Sequence, residues 1–574
     1  MSGRITGVPA APGIAVGPVW RYRPCGAAGG PVVEVTASGE AELCIRHAAD
    51  LAAAQLQALA ERLCELDRPG EAEILEAQAL MAVDPAIVDE AIRLTRGGMG
   101  PVEAVLAAAE TSAEVLAALD DALLAARAVD VRDVAVRVAR ALSGASLDVP
   151  PAPSVVVAVD LPPSLLAEMP PSLLLGVALA GGSPTAHVAI LARSLGIPAV
   201  VAASELLDEA PAEATIAIDG ESGEITVDPT SAELAELADR RAARGARDRD
   251  AAALRGRPAA TADGRQVRLL ANIRSAGDAT RALDAGAEGV GLFRTEYLFM
   301  RRHSAPSESE QVGEYRRAME AFGPDRPVVV RLADIGGDKS IPYLGSPAEP
   351  NPFLGVRAIR LADESRELLL TQLRAIWRAA AAAGVTPHVM APMVATIADA
   401  RLLLELRDEA RRAVAADGAA CPERMVTGIM IEVPSAAIMA PELARMVDFF
   451  SIGTNDLTQY VMAADRGNPS LAGLQDALHP AVLRTIATVV AGADAAGIPV
   501  AVCGELAGDP AGALVLVGLG VDELSAEVSS LDGVRAALAG VTGGELGELA
   551  AAALAATDAE TVRAAANELL ARRG

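Results

Sequence analysis

At 574 residues the chain is too long for one ordinary core, and 52% hydrophobic against 22% charged residues provides for packed interiors, not disorder. The 49 Lys and Arg stand against 76 Asp and Glu, a net charge of −27 that repels a phosphate backbone and argues against nucleic acid as a partner. Aromatic residues reach only 2%, and the alanine-rich texture favours helices and α/β units over an all-β sandwich.

Residues 5–20, ITGVPAAPGIAVGPVW, set Gly and Pro among β-formers and predict short strands joined by tight turns. Residues 37–142 change to long helix-periodic Ala/Leu/Glu-rich stretches broken at 67–70 and 97–101, the pattern of a helical bundle. Between 150 and 228, short apolar runs such as 154–159 and 215–218 alternate with Gly/Pro turns around one short helix, which predicts a compact α/β unit completed by the N-terminal strands. A charged stretch over 231–254, with Gly245 as its one turn residue, predicts a linker helix. From residue 265 onward eight strand-like runs recur with helical segments between them: VRLLANI, GVGLFRTE, PVVVRLAD, PHVMAPM, GIMIEVP, DFFSIGTND, IPVAVCGEL and GVDELSA. That rhythm is a (β/α)8 TIM barrel. The fold class is multidomain α/β, with 1–20 and 143–230 forming the α/β domain, 21–142 an inserted helical subdomain, 231–258 the linker and 259–574 the barrel.

The five cysteines, Cys25, Cys44, Cys64, Cys421 and Cys503, are odd in number and scattered, with no CxxC spacing. They read as thiols in a reducing compartment. No apolar core follows a basic head at the N-terminus and no long apolar run occurs later, so the expectation is a cytoplasmic protein without a membrane span.

Asn272, Arg294, Arg331, Glu432, Asp456 and Cys503 all fall at or just past the C-terminal ends of the predicted strands. In such barrels that rim carries the chemistry. Glu432 and Asp456, on adjacent strand ends, offer the oxygen ligands that suit Mg²⁺, an ion that keeps waters and takes further ligands from a substrate. Arg294, Arg331 and Arg357 are planar clamps for phosphate and carboxylate, so the implied ligand is a small phosphorylated acid. Cys503 ends an apolar run and either turns its thiol into the mouth or is a buried inert cysteine.

Farther upstream, AGGSPTAHVAILARSLGIPAVV places Gly181 and Gly182 in a turn, Thr185 as a cap and His187 at the start of a short helix ending at Gly196. The positive end of a helix disfavours imidazolium, leaves a neutral nucleophilic ring near neutral pH and stabilises a phosphoryl group once attached.

These segments resemble one family. GGSPTAHVAILARSLGIPAVV is similar to the phosphohistidine signature of the phosphoenolpyruvate (PEP)-utilising enzymes, and GVGLFRTEYLFM, VVVRLADIGGDK, NPFLGVRAIR, GIMIEVPSA, FFSIGTNDLTQYVMAADRGN and CGELAGDP resemble the motifs of their PEP-binding barrel. Within that superfamily the resemblance is to enzyme I of the sugar phosphotransferase system, and GVPAAPGIAVGPV and ILEAQALMAVDP extend it to the N-terminal part. The resemblance implies a phosphohistidine domain that swivels, with His187 as the phosphorylated residue. It further implies PEP binding by Arg294, Arg331, Arg357, Asn455 and Arg466, Mg²⁺ held by Glu432 and Asp456, and Cys503 as proton donor to the pyruvate enolate. It implies a homodimer formed through the barrel and a helical subdomain that docks the phosphocarrier protein HPr. Ala186 departs from the Ser common before the histidine, and Gln78 stands where the similar helix often has His. Two other readings are an ATP-dependent relative, a pyruvate phosphate dikinase or PEP synthase, and a non-catalytic carrier-binding regulator. The first needs a large nucleotide-binding domain, and no P-loop precedes His187. Against the second stand the intact His187, Arg294, Arg331, Glu432 and Asp456.

Overall fold

The computed structural model describes residues 3–22, 38–65, 69–118, 122–145, 147, 149–183, 186–300, 302, 304–337, 341, 343, 349–466 and 468–572. The chain divides into two compact units, residues 1–244 and 245–574.

In the first unit the Gly/Pro-punctuated opening folds as β1 (Gly3–Thr6), β2 (Val8–Ala11) and β3 (Ile14–Arg21). Alternation along β3 buries Ala15, Gly17 and Val19 on one face. These strands join β4 (Ser154–Ala158), β5 (Leu174–Leu179), β6 (Ala199–Val201), β7 (Thr215–Asp219) and β8 (Glu224–Val227) in one eight-stranded sheet of order β1-β8-β7-β3-β4-β5-β6-β2. Its centre, β3 to β6, is parallel, and every residue of β4 is buried, as a strand covered on both faces requires.

Between β3 and β4 the chain leaves the sheet for the helices Ser38–Glu65, Pro69–Ala82, Pro85–Arg96, Pro101–Ala117 and Ala122–Ser143. Buried Ala52, Ala91, Ala104, Ala108 and Ala113 let their backbones approach closely. The expected break at 97–101 is present, while residues 66–68 lie outside the described residues. A further break at 83–84 was not read from the sequence: Asp84 caps the next helix by accepting a hydrogen bond from Ala86 N at 2.8 Å, and Pro85 supplies the fixed φ of its first turn.

The helix His187–Leu195 connects β5 to β6 and stops at Gly196, whose φ of 70° closes it in the left-handed conformation. Its N-cap is Ala186, which makes no side-chain cap, so the reading of Thr185 as the cap is corrected; Thr185 itself lies outside the described residues. The helix Ser231–Ala252 runs unbroken through Gly245, because a single glycine costs a helix only about 1 kcal/mol relative to alanine.

The second unit is a closed barrel of eight parallel strands: β9 (Arg268–Ile273), β10 (Val290–Phe293), β11 (Val328–Arg331), β12 (His388–Ala391), β13 (Val426–Ile431), β14 (Phe449–Ile452), β15 (Val500–Val502) and β16 (Glu523–Ala526). β16 pairs with β9 to close the ring. All eight expected runs are strands. Leu292, Val329, Met390, Met430, Phe449 and Cys503 fill the interior, so the barrel is a packed core rather than a pore. Outside it lies a shell of helices, among them Ala362–Ala383, which buries Trp377. Among the described residues no helix is long and apolar enough to cross a membrane.

Trp377 is only 1% exposed, and its indole N–H donates to Arg407 O at 3.4 Å. Trp377→Ala should destabilise the barrel unit by about 3–5 kcal/mol through lost burial and the cavity left behind. The denaturant midpoint of that unit's own unfolding transition measures this, and a change below about 1 kcal/mol would contradict the packing described.

Candidate active site

Parallel strands deliver their C-terminal ends to one rim, and that is where the polar residues gather. Asn272 is the penultimate residue of β9, Arg294 follows β10, Arg331 ends β11, Glu432 follows β13 and Cys503 follows β15. Asn455 and Asp456 lie in the first turn of the helix Thr454–Met462, just beyond β14. β13 and β14 are neighbours, so Glu432 and Asp456 sit on adjacent strand ends.

Two buried arginines share one carboxylate. Arg357 grips Asp334 with Nε on Oδ1 at 3.0 Å and Nη2 on Oδ2 at 2.7 Å, and Arg331 Nη1 stands 3.6 Å from the same Oδ2. Arg331 also pairs with Glu296, itself buried. The surrounding backbone is tied in turn: Thr295 Oγ1 donates to Arg331 O at 2.7 Å, and Gln372 bonds both Thr295 Oγ1 and Ala333 N at 2.9 Å. Burial works to lower the Arg331 pKa, but the charges of Glu296, Asp334 and Glu432 outweigh it and the net shift is upward, so the guanidinium is a permanent cation. Arg357 approaches the rim through a bridge between Gly336 and Arg357, where Gly336 has φ 93° and a Cβ would lie 2.4 Å from Val356 O. Only glycine fits that approach.

The carboxylates face the arginines. Asp456 Oδ1 is 3.6 Å from Arg357 Nη1 and Asp456 Oδ2 is 3.5 Å from Arg466 Nη1. The Arg466 guanidinium lies 5.3 Å above the Phe353 ring, and Tyr460 donates its hydroxyl to Phe353 O. Glu432 is 1% exposed and its Oε1 accepts Met393 N at 2.6 Å. Met393 holds a left-handed φ of 60° at that contact, a strained conformation for a side-chain-bearing residue. Burial first, and then the charges of Asp456 and Asp334, push the Glu432 pKa up to about 7 against the opposing pull of Arg331 and Arg357.

On the other side of the rim, Cys503 is 2% exposed, accepts a hydrogen bond from Ser451 Oγ at 3.2 Å, and its thiol sits 3.6 Å from Ile452 O. Burial raises its pKa; the Ser451 hydrogen bond and the charges of Arg331 and Arg294 only partly offset this, so the thiol stays protonated. Asn272 donates to Cys503 O at 3.2 Å and accepts from Ser525 Oγ at 2.7 Å. Asn455 and Glu505 exchange two hydrogen bonds, 2.9 and 3.0 Å, which fasten the turn after Cys503 to the helix carrying Asp456. Gly504 is required between them, since a Cβ there would lie 1.9 Å from Thr454 Oγ1.

The structure thus draws Arg331, Arg357, Arg466, Glu432 and Asp456 into one charged network. Arg294 stands nearer the Cys503 side, 3.8 Å from Glu527. Asn455 turns to Glu505. His187 belongs to the other unit, where it is the first residue of its helix; its side chain lies outside the described residues. Cys44 is exposed, Cys421 half-buried and Cys503 buried, all three as free thiols, while Cys25 and the Cys64 side chain lie outside the described residues. Glu296, Asp334, Glu505 and Ser451 were missed in the sequence. An acidic residue does follow each strand-end arginine closely, in FRTE and RLAD, and that repeated pairing was the available signal.

As a metal site the rim offers two carboxylates, and among the described residues no group of three or more His, Cys, Asp or Glu side chains forms a cage. The fit to a divalent cation is nonetheless chemical: Glu432 and Asp456 repel one another in a buried setting, and Asp456 Oδ1 is buried without accepting a hydrogen bond. Mg²⁺ commonly takes one or two protein carboxylates and completes its shell with water and substrate oxygens.

A closed parallel barrel with buried guanidinium clamps, an acidic pair and a protonated thiol at its C-terminal rim defines an enzyme that handles small phosphorylated or carboxylated anions. Comparison with known proteins narrows the class. Residues 248–542, just over half of the chain, match the family described as PEP-utilising enzyme, PEP-binding domain; residues 6–127 match its N-terminal part and 150–223 its mobile domain. The phosphoenolpyruvate-protein phosphotransferase of Streptomyces coelicolor is 43% identical, covering 87% of this chain and 88% of the relative. That of Geobacillus stearothermophilus is 39% identical over 93% and 92%. The multiphosphoryl transfer protein of Rhodobacter capsulatus is 42% identical over 97% of this chain, and the chain spans 67% of that relative's length and 66% of its counterpart in Xanthomonas campestris. The chain belongs to the PEP-utilising enzyme family.

The raised Glu432 pKa has a stability consequence. An acid whose pKa rises on folding, here from 4.5 to about 7, favours the fold while protonated, so its contribution falls as pH climbs from 4.5 to 7 and is flat above. In EDTA, Glu432→Gln keeps an acceptor for Met393 N and removes the buried charge. It should raise the melting temperature of the barrel unit by a few degrees at pH 8 and by much less at pH 5, read by calorimetry. An equal effect at both pH values would contradict the assignment.

Proposed function

We propose that this chain takes the phosphoryl group of PEP onto His187, releases pyruvate, and passes the phosphoryl group to a histidine of the phosphocarrier HPr, as the first step of a sugar phosphotransferase system. The carrying observation is the buried network of Arg331, Arg357 and Asp334 at the barrel rim, facing Asp456 and Glu432. Family membership and the relatives' names support PEP-dependent phosphoryl transfer as the chemistry.

In this mechanism Arg294, Arg331, Arg357, Asn455 and Arg466 bind and orient the phosphate and carboxylate of PEP, replacing its hydration with fixed donors. A neutral ring nitrogen of His187 attacks phosphorus. The N–P bond forms as the bridging O–P bond breaks, and the electron pair of that bond leaves with the enolate of pyruvate. Cys503, held as a thiol by burial, delivers a proton to the enolate carbon and regains one from solvent. Glu432 and Asp456 would hold Mg²⁺, which when bound supplies Lewis-acid neutralisation of the substrate oxygens. Because His187 and the rim residues belong to different compact units, the histidine must reach the rim to be charged and the carrier to be discharged. The helical segment between β3 and β4 is the proposed HPr-docking surface. The same reading makes the protein a cytoplasmic homodimer joined through the barrel.

The test separates the two half-reactions in the full chain. Asp456→Ala should abolish labelling by PEP and Mg²⁺, a loss of at least roughly 1,000-fold, yet the same variant should still accept phosphate from phosphorylated HPr, because that step needs His187 and not the rim. Radiolabel transfer measured in both directions decides it. Undiminished labelling from PEP, or loss of both half-reactions in a folded variant, would overturn the proposal.

A further inference from the structure

On the barrel face opposite the rim, the segments entering β9, β10, β11 and β12 surround a cavity of about 840 Å³. That is within the roughly 300–1,000 Å³ range of small-molecule sites. Its wall carries Arg257, Arg268 and Arg326 together with Glu288 and Asp325. Of the two acids, Glu288 is committed elsewhere, its Oε1 accepting the backbone N–H groups of Ala259 at 3.1 Å and Leu269 at 3.4 Å, while Asp325 is exposed and, among the described residues, has no partner. Arg268 is paired with Glu523 across the β16–β9 seam. Arg257 and Arg326 are exposed, and among the described residues neither guanidinium has a hydrogen-bond or ion-pair partner. Arg257 and Arg326 thus bring two guanidiniums without partners to one concavity of a chain whose net charge is −27.

The segments around the concavity are anchored at several points. Gly286 turns into β10 with φ 76°, and its carbonyl is held by Arg535 Nη2 at 2.6 Å. Pro258, Pro324 and Pro327 fix the other entering segments, and Leu283 adds apolar wall. A pocket that keeps its shape does not lose ordering entropy on binding.

We propose that this cavity is a second binding site, for a small organic polyanion whose phosphate or carboxylate groups pair with Arg257 and Arg326 while its apolar part lies on Leu283 and Pro327. Guanidinium forks match both oxyanions in a bidentate manner, so the shared chemistry is a multiply charged oxyanion. The site stands apart from the PEP rim, because its residues precede the strands and the rim residues follow them.

The experiment is calorimetric titration of the full chain with pyrophosphate and, separately, with citrate at low salt. Three proteins are compared: wild type, Arg257→Ala/Arg326→Ala, and a charge-matched control, Arg412→Ala/Arg445→Ala, which removes two exposed arginines of the same unit. The expected result is one binding equivalent beyond any taken up at the rim, seen with pyrophosphate for a phosphate ligand or citrate for a carboxylate one, that is weakened about tenfold or more in the cavity variant and unchanged in the control. The KM for PEP should be the same in all three. Binding that is absent from wild type, unaffected in the cavity variant, weakened equally in the control, or lost together with a rise in the KM for PEP would overturn the proposal.

Discussion

Arg357 is completely buried, and a guanidinium taken out of water without a partner is not tolerated in a folded protein. Asp334 meets that need with a bidentate grip, and its second role, facing Arg331 at 3.6 Å, locks the two arginines into one geometry. Breaking a buried pair of this kind costs about 3–5 kcal/mol, because the remaining charge is left uncompensated. The rim is therefore preorganised before substrate arrives. Much else in the barrel serves this arrangement: Glu296 holds the other edge of Arg331, Gln372 pins the backbone on either side of it, and the glycine at 336 lets the backbone at Arg357 approach.

The same network leaves a surplus of negative charge on its far side. Glu432 and Asp456 are brought together by the adjacency of β13 and β14, and burial first, then the charge of Asp456, lifts the Glu432 pKa to about 7. A cation between them and an anion on the arginines would complete the charge balance from both directions. Phosphoryl transfer demands positioning and charge neutralisation more than covalent chemistry from the protein, and fixed charges in a dry site supply these without reorganisation at the moment of reaction. Cys503, at the same rim, is kept as a thiol by burial among Leu292, Val329, Met390, Met430 and Phe449.

The barrel was legible in the sequence because the parallel strands are short, mainly apolar runs, several of them closed by a polar residue such as Arg294, Arg331 or Glu432, and that punctuation marks the rim as well. Arg294, Arg331 and the acidic pair could be placed from it, whereas Arg466 and Asn455 came only from the family resemblance. Asp334 and Glu296 could not be placed, because a carboxylate that works through an arginine has no signature beyond proximity in sequence, and acidic residues are abundant in this chain. The break at Asp84 was hidden inside an apolar helical rhythm, and only the Asp-Pro pair reveals it. Thr185 was read as the helix cap from its residue type, but the backbone places Ala186 there, so the start of the His187 helix lacks the expected hydroxyl cap. The anion cavity escaped altogether, since its arginines come from separate segments that only barrel closure brings together.

The central claim is that the phosphoryl group of PEP rests on one imidazole of this chain. It is tested most directly by incubating the full chain with PEP and Mg²⁺ and locating the phosphorus by ³¹P NMR and by mass spectrometry of peptides prepared at alkaline pH. The account predicts a single phosphoramidate on His187, formed together with an equal amount of pyruvate. Phosphate on any other residue, or pyruvate formed without it, would contradict the account.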